Sequence, residues 1–202
     1  MDVTLCALEQ FAKEGDACLQ LRSGGEVLFT AAFSLGNCTE DASRTVVDVG
    51  CLQGPSSQTG RSLVRDTTKL LHGLRPRDLM LESLRAVGAS VGAEALIGVS
   101  SQRHIYRSWR KRRKFAFDYD AYWLERKGTR RADGDFTVLV DHAPHDVASL
   151  PSRKRAEAKR RQGLQINLRK SVLSALRTSQ TVPERTMAKE ASVATTNTAA
   201  VG

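Results

Sequence analysis

The spacing of apolar residues changes near the middle of the chain, and this change constrains the fold more than any other feature. Apolar side chains alternate along residues 26–35, and shorter strand-like runs cover residues 17–21 and 45–52. The last of these runs stops at Gly54 and Pro55, and Gly50 within it predicts a β-bulge or a close backbone approach. Three successive strands joined by short turns predict an antiparallel meander at the start of the domain.

Two helical segments are predicted to follow. The first ends at Gly73, Pro76 begins the second, and a short apolar run at 95–99 then returns to strand character. Because the helices connect one strand to another, the later strand is expected to lie parallel to the third. The apolar stripe of the first helix consists of Leu63, Val64, Thr67, Leu70, Leu71 and Leu74.

The remainder of the chain completes a single predicted α+β domain at 1–177. Residues 136–140 alternate as a further strand, and a basic helix is predicted over 153–177. Residues 178–202 lack aromatic side chains and are rich in Thr, Ala and Ser, which predicts a disordered tail. The expected fold is therefore a mixed, mainly antiparallel sheet with a helical crossover and a basic C-terminal helix.

Positive charge is concentrated in two segments, and this distribution points to an anionic partner. The chain carries a net charge of +9, while residues 103–131 carry +8 (11 basic, 3 acidic) and residues 153–170 carry +7 (8 basic, 1 acidic). The rest of the chain therefore sums to about −6. A nucleic acid, an acidic protein or an anionic membrane surface could bind such patches. Alternatively, the basic residues pair with the chain's own acids and otherwise face water.

Aromatic residues interleave with the first basic run, as they do in proteins that bind single-stranded nucleic acid. Cations would contact phosphates and rings would stack on bases, although no recognised nucleic-acid motif is present. Asp118 and Asp120 follow directly, so a helix or turn that balances the run and buries its own aromatics is the alternative. The candidate contact residues are Arg107, Trp109, Arg110, Arg112 and Arg113.

Two candidate proton carriers, His104 and Tyr106, follow the strand at 95–99. The carboxyl ends of strands in α/β sheets are where catalytic and binding side chains tend to lie. Nearer the C-terminus, His142 and His145 flank Pro144, but no cysteine is close and the segment resembles an exposed loop. The sequence therefore predicts no metal site.

The four cysteines lie in the first quarter of the chain without CxxC spacing, which favours reduced, structural thiols. The first residues contain no basic region of the kind that opens a signal peptide. No segment approaches the roughly 20 apolar residues that span a bilayer. These features predict a cytoplasmic protein.

Five ordered blocks resemble the bacterial VirK/YbjX family: CLQGP (51–55), TKLLHGLRPRDLMLESLRA (68–86), LIGVSSQRHIYR (96–107), FDYDAYW (117–123) and PSRKRAEAKRR (151–161). The resemblance covers roughly residues 10–177. It implies a link to virulence, surface traits and stress survival, and it supplies no catalytic residues. Members of this family usually have a further helical region upstream, which this chain is expected to lack.

The loop between the third strand and the first helix is similar in outline to the pyrophosphate-binding loop of GNAT-type acyltransferases, so the sheet is expected to be GNAT-like. Backbone amides at a helix N-terminus would face the anion. The pattern departs from that family at Ser56, and Pro55 removes one amide donor. No cofactor is therefore expected, and acyl-CoA is the alternative. The residues that would bind it are Gln53, Gly54, Gly60, Arg61 and Arg65.

Overall fold

The structure, a computed structural model, describes residues 1–38, 41–105, 117–142 and 146–180. Within these ranges a seven-stranded sheet has the order β1-β2-β3-β4-β5-β7-β6, and four α-helices accompany it. The strands are β1 Asp2–Cys6, β2 Ala17–Ser23, β3 Glu26–Asn37, β4 Thr45–Gln53, β5 Ala95–Gly98, β6 Thr129–Arg130 and β7 Phe136–Leu139. The helices are α1 Gln58–Leu70, α2 Pro76–Ser90, α3 Tyr119–Glu125 and α4 Ser152–Gln180.

The sheet is mostly antiparallel, with one parallel pair at its centre. Strands β1 to β4 form an antiparallel meander, and β4 pairs with β5 in parallel across the α1–α2 connection. Strand β7 then lies antiparallel to both β5 and β6. The α+β class, the meander and the parallel crossover strand predicted from the periodicity are confirmed.

Helix α2 is the central element of the core. Its apolar residues Leu79, Met80 and Leu84 are fully buried, because the sheet covers one side of the helix and α4 covers the other. Burying several such side chains contributes roughly 1.5–3 kcal/mol each relative to exposure. The amphipathic α1 packs more peripherally, against α2 and β3.

The apolar stripe predicted for α1 is one residue too wide. Thr67, Leu71 and Leu74 are buried, but Leu70 is 79% exposed. Leu70 is the last residue of the helix, and the chain turns away at His72, which has a φ of 55°. The prediction that Leu70 belongs to the core is therefore wrong.

Some elements differ from the prediction. Strand β1 was not predicted, because an edge strand that is largely exposed carries no strong alternation. The block after Asp118 does form a helix, α3, with Tyr119, Tyr122 and Trp123 buried as expected. Helix α4 continues to Gln180, so residues 178–180, which were assigned to the tail, are helical. Residues 181–202 lie outside the described ranges. None of the described helices has both the length and the apolar character that crossing a bilayer requires.

Candidate functional site

The candidate site lies where β4 and β5 separate. The parallel pairing ends at Val49 and Gly98, and the Val99 amide makes a last hydrogen bond of 3.0 Å to the Val49 carbonyl. A side chain at position 98 would meet the Trp123 indole, since a Cβ there would be 2.3 Å from Cε2. The Trp123 Nε1 donates to the Val99 carbonyl at 2.9 Å. Gly98 therefore packs directly against the buried Trp123 at the point where β5 ends.

A tight turn after β5 fixes the position of His104. The amides of Arg103 and His104 donate to the Ser100 carbonyl at 3.1 and 3.0 Å. The Ser100 amide in turn donates to Asp135 Oδ1 at 2.9 Å. The Ser101 amide donates to Asp120 Oδ1 at 2.8 Å, which ties the turn to α3. His104 is therefore held by backbone contacts at the end of the strand, where the sequence places it.

His104 is buried and contacts a carboxylate that the sequence did not indicate. Its Nε2 lies 3.3 Å from Glu14 Oε1, and the two side chains are 3% and 6% exposed. Its ring centroid lies 5.1 Å from that of Tyr119. A carboxylate beside an imidazole fixes the orientation of the ring by accepting its N–H. The arrangement can hold or move a proton, but inside the protein rather than at the surface.

Glu14 reaches this position through a close contact between its backbone and β4. Its carbonyl oxygen lies against Gly50, where a Cβ would be only 1.9 Å away. Gly50 is also the extra residue of a β-bulge, because Ala32 pairs with Cys51 and the next residue of β3 pairs with Val49. The sequence did predict a bulge or close approach at Gly50. The identity of the contacting residue depends on the tertiary fold.

Burial is the main influence on the Cys51 thiol beside this pair. It raises the pKa of Cys51, and the nearby Glu14 carboxylate raises it further. A buried thiol with a raised pKa does not react directly with oxidants or electrophiles in solution. Cys51 therefore acts here as a packing residue and not as a reactive thiol.

The Tyr119 side chain contacts β4 beyond Val49, where β4 no longer pairs with β5. The Tyr119 hydroxyl donates to the Leu52 carbonyl at 3.3 Å and accepts from the Leu52 amide at 3.1 Å. Burial raises the pKa of Tyr119, so the hydroxyl stays protonated. An extended ligand could pair with β4 at Leu52 only by displacing this side chain.

The loop that would bind acyl-CoA in the alternative prediction lies at the same edge of the sheet and is largely exposed. The Ser57 hydroxyl caps α1 by accepting from the Gly60 amide at 3.0 Å. Gly60 packs on Pro55, where a Cβ would be 2.4 Å from the proline Cβ. Arg61 is exposed and its Nη2 donates to Gln58 at 3.1 Å. Of the other predicted residues, Gln53 and Arg65 are exposed and Gly54 is partly buried.

Several predicted residues fall outside the described ranges. These are Tyr106, Arg107, Trp109, Arg110, Arg112 and Arg113, together with His145. The two acids that could balance the basic run have partners elsewhere: Asp118 accepts from the Ala121 amide at 3.0 Å, and Asp120 binds Arg130 Nη2 at 2.5 Å. These contacts make Asp118 the N-cap of α3 and tie Asp120 to the β6 strand.

His142 contacts a buried ion pair and is not simply a solvent-facing side chain. Arg85 Nη1 and Glu82 Oε1 of α2 lie 2.7 Å apart, with both side chains 6% exposed. His142 Nε2 lies 3.4 Å from that same Arg85 nitrogen. Burial, and then the charge of Arg85, lower the pKa of His142. Among the described residues no group of three His, Cys, Asp or Glu side chains has the arrangement of a metal site.

A groove of about 540 Å³ lies between the end of α1 and the start of α4. Cations border it from both helices, with Lys69 on α1 and Arg160 on α4. Residues 152–157 of α4 are exposed throughout, so the basic start of that helix projects into solvent. The groove is lined by Thr68, Lys69, His72, Gly73, Glu157 and Arg160.

Several exposed cations of α1 and α4, the two helices that border the groove, have no acidic partner among the described residues. Lys69 lies 3.3 Å from Asp66, and Arg161 lies 3.9 Å from Glu157. In the part of the chain that the structure describes, no carboxylate pairs with Arg65, Arg153, Lys154, Lys159 or Arg160. These five residues and Lys69 are called the basic surface below.

The chain matches a known protein family over most of its length. A family model described as "Protein of unknown function (DUF535)" matches residues 1–173, and the chain belongs to this family. The chain is 34% identical to the uncharacterized protein YbjX of Escherichia coli K12 over 153 residues, which are 74% of this chain and 46% of that protein. The resemblance to the VirK/YbjX family is thereby confirmed.

Two other relatives are similar over shorter stretches. An uncharacterized protein of Haemophilus influenzae is 27% identical over 124 residues, which are 61% of this chain and 41% of that protein. A protein of Mannheimia haemolytica named "Membrane protein LapB" is 39% identical over 51 residues, which are 25% of this chain and 23% of that protein. The chain thus spans less than half the length of the curated relatives it matches.

Proposed function

We propose that this chain is a binding protein that engages an extended anionic partner through the basic surface. The observation that carries the proposal is the set of exposed cations on α1 and α4, the two helices that border the groove, five of which have no carboxylate partner among the described residues. Exposed cations without paired acids create a positive potential, which attracts polyanions and speeds their association.

The size of the cationic region favours a polymer or a surface over a small ligand. A helix rises about 1.5 Å per residue, so the basic part of α4, residues 153–170, spans about 27 Å. That length matches several successive phosphates of a nucleic acid strand or several lipid headgroups. A single phosphate would need a compact site with convergent donors. The other basic run of the sequence, residues 107–113, lies outside the described ranges.

Salt dependence tests this proposal directly. Affinity for a fluorescent single-stranded oligonucleotide and for vesicles containing anionic lipid would be measured between low and high salt. Replacing both Lys159 and Arg160 by serine should weaken binding and, for single strands, reduce the slope of log K against log salt by about 1.4 if both contact phosphate. The matched control replaces the exposed cations Lys13 and Arg177, which lie outside the basic surface.

The result of the control decides the assignment. Equal losses in both double variants would mean that only the net charge matters and that the basic surface has no special role. Binding that does not change with salt would contradict an electrostatic interface altogether. Retention on vesicles without oligonucleotide binding would identify a membrane partner, in keeping with the name of the Mannheimia relative. The proposal includes a role for this binding in the virulence or stress survival of the bacterial cell.

Acyl transfer from acyl-CoA is the second candidate, and one observation favours it. The parallel β4–β5 pair brings the loop at 53–60 and His104 to the same edge of the sheet. Arg61 and Arg65 would contact the phosphates, and His104 would carry the proton released by the attacking amine. The capped α1 terminus and the Tyr119–Leu52 contact both oppose ligand entry at this edge.

Acetyl-CoA binding distinguishes the two candidates. An acyltransferase should show a higher melting temperature with acetyl-CoA, and the cofactor should protect Arg61 and Arg65 from modification by phenylglyoxal. Coenzyme A should produce a similar shift, because the phosphates dominate binding to a loop of this kind. No shift and no protection would exclude this second candidate and leave the binding proposal intact.

A further inference from the structure

Three of the four cysteines belong to one ladder across the first four strands. Cys6 of β1 is the register partner of Cys18 on β2. Cys18 is the partner of Ala32 on β3, and Ala32 is the partner of Cys51 on β4. Directly opposed residues of antiparallel strands project from the same side of the sheet. These three cysteines and Ala32 accordingly pack with Phe11 in one small apolar cluster.

The geometry of this ladder permits a single disulfide. Directly opposed residues have Cα atoms about 4.5 or 5.5 Å apart, and both values lie within the range of disulfides. Cys18 and Cys51 are separated by two strand spacings, about 9.5 Å, which is too far to bridge. Cys38 lies six residues beyond Ala32 along the chain, or about 20 Å away. Only Cys6 and Cys18 can pair without movement of the backbone.

We propose that Cys6 and Cys18 form a redox modification site, at which an oxidant of the peroxide or small-disulfide class converts the two thiols into a reversible cross-strand disulfide. Each of the four cysteines, all within the described ranges, is a free thiol in the structure. The proposal concerns β1 and β2 and does not depend on the basic surface.

The two cysteines differ in exposure, which assigns their roles. Cys6 is partly exposed at the end of the edge strand, whereas Cys18 is 1% exposed. Burial raises the pKa of Cys18, and Cys6, its register partner on β1, raises it further. Cys6 is therefore the thiol that meets the oxidant, and Cys18 is the thiol that completes the bond.

The chemistry balances with one equivalent of oxidant. The Cys6 thiolate attacks hydrogen peroxide, takes up one oxygen as a sulfenic acid and releases hydroxide. The Cys18 sulfur then attacks the Cys6 sulfur, the S–S bond forms, and the sulfenic oxygen leaves with the thiol proton as water. With a small disulfide, Cys6 first forms a mixed disulfide and Cys18 expels the second thiol. In both routes the two cysteines lose two electrons in total.

The bond would close a covalent loop around the segment that carries Glu14. Residues 7–16 connect β1 to β2, and they include both Phe11 and Glu14. The carboxylate of Glu14 lies 3.3 Å from His104, and its carbonyl packs on Gly50. Oxidation would therefore restrict the segment that supplies the carboxylate partner of His104. The redox state of the edge strand would be coupled in this way to the buried site.

Mass spectrometry of the full chain tests the proposal. After treatment with a slight excess of hydrogen peroxide and alkylation of free thiols, the protein should carry two labels fewer and a peptide linking Cys6 to Cys18. Dithiothreitol should restore both labels. A second arm with oxidised glutathione should give the same linked peptide. The melting temperature of the oxidised form should rise by several degrees, because the disulfide restricts the unfolded chain between Cys6 and Cys18.

Single substitutions establish which thiols react. Cys6→Ser and Cys18→Ser should each abolish the reversible loss of two labels on oxidation, whereas Cys38→Ser and Cys51→Ser should retain both that loss and the linked peptide. Should Cys18→Ser fail to fold, Cys6→Ser at the exposed edge decides the question alone. A reversible loss of two labels that persists in Cys6→Ser, or oxidation of the native chain that stops at irreversible acids of Cys6, would overturn the proposal. An unchanged melting temperature in the linked protein would overturn the coupling to the Glu14 segment.

Discussion

At the scale of single residues, Tyr119 stabilises β4 where its neighbour has ended. Its hydroxyl satisfies both the amide and the carbonyl of Leu52, which is 1% exposed. Buried backbone groups that lose their hydrogen-bond partners cost about 1–3 kcal/mol. One side chain thus replaces the missing strand at this point.

Tyr119→Phe should lower the free energy of unfolding by about 1–3 kcal/mol, because the change leaves the Leu52 amide and carbonyl without their partner. Urea denaturation measures this loss. Ser43→Ala is the control, since the Ser43 hydroxyl is exposed and donates to the exposed Asp41. That control should change stability by less than about 0.5 kcal/mol. Equal effects of the two variants would contradict the role assigned to Tyr119.

Gly50→Ala should destabilise the protein by about 1–3 kcal/mol or more, because its Cβ would overlap the Glu14 carbonyl. Thermal denaturation at fixed pH provides the measurement. Gly163→Ala is the matched control, since it lies within α4 and no heavy atom is within 4 Å of a Cβ there. It should raise stability by about 0.5–1 kcal/mol. Destabilisation by both variants would argue against a specific contact at Gly50.

The sequence predicts the site only as far as local features allow. His104 is found at the end of β5 because strand ends can be located from periodicity, and Gly50 is found because glycine interrupts an apolar run. Glu14 precedes His104 by 90 residues and lies in a segment without a pattern. Their contact depends on how β4, β5 and the segment after β1 pack together, and local propensity does not encode this.

At the scale of elements, α1 and α2 show how neighbours decide which leucines are buried. Both helices carry apolar residues at helical spacing, and both were predicted. Helix α2 is covered by the sheet and by α4, whereas α1 ends at Leu70 beside solvent. Periodicity identifies an apolar face, but the width of that face depends on what covers it. Strand β1 and the two-residue β6 were not predicted, because short edge strands carry little pattern.

Leu84→Ala should lower the free energy of unfolding by about 2–5 kcal/mol, because the Leu84 side chain is completely buried and its loss leaves a cavity. Leu70→Ala makes the same chemical change at an exposed position and should alter stability by less than about 0.5 kcal/mol. Urea midpoints of the two variants give the comparison. Similar losses would contradict the assigned end of α1.

At the scale of the whole molecule, a buried ion pair on α2 contacts the C-terminal end of β7. Glu82 and Arg85 form the pair on α2, and Arg85 Nε also donates to the Leu139 carbonyl at 3.1 Å. His142 follows β7 and contacts both members. Sequence analysis did not identify this pair, because a charged residue on a helix is exposed more often than buried.

The stability of the protein should fall as pH is lowered below about 6.5, the ordinary pKa of histidine. Burial and Arg85 lower the pKa of His142 in the folded state, although Glu82 acts in the opposite direction. Between the folded and unfolded pKa values the unfolded chain binds more protons, so acid favours unfolding. Urea denaturation at several pH values should show a smaller dependence for His142→Gln. An identical dependence in that variant would refute this assignment.

The parallel pairing of β4 with β5 also has a kinetic consequence. Val46 pairs with Ala95, 49 positions further along the chain, whereas the turn between β2 and β3 contains only Gly24 and Gly25. Closing a long loop costs more conformational entropy than closing a short one, and this entropy is lost before the two strands make contact. Pairings between distant strands therefore form late. The hairpins of β1 to β4 can therefore assemble first, and β5, β7 and β6 join only after α1 and α2 have folded. A chain interrupted within that connection would expose β4 as an unprotected, aggregation-prone edge.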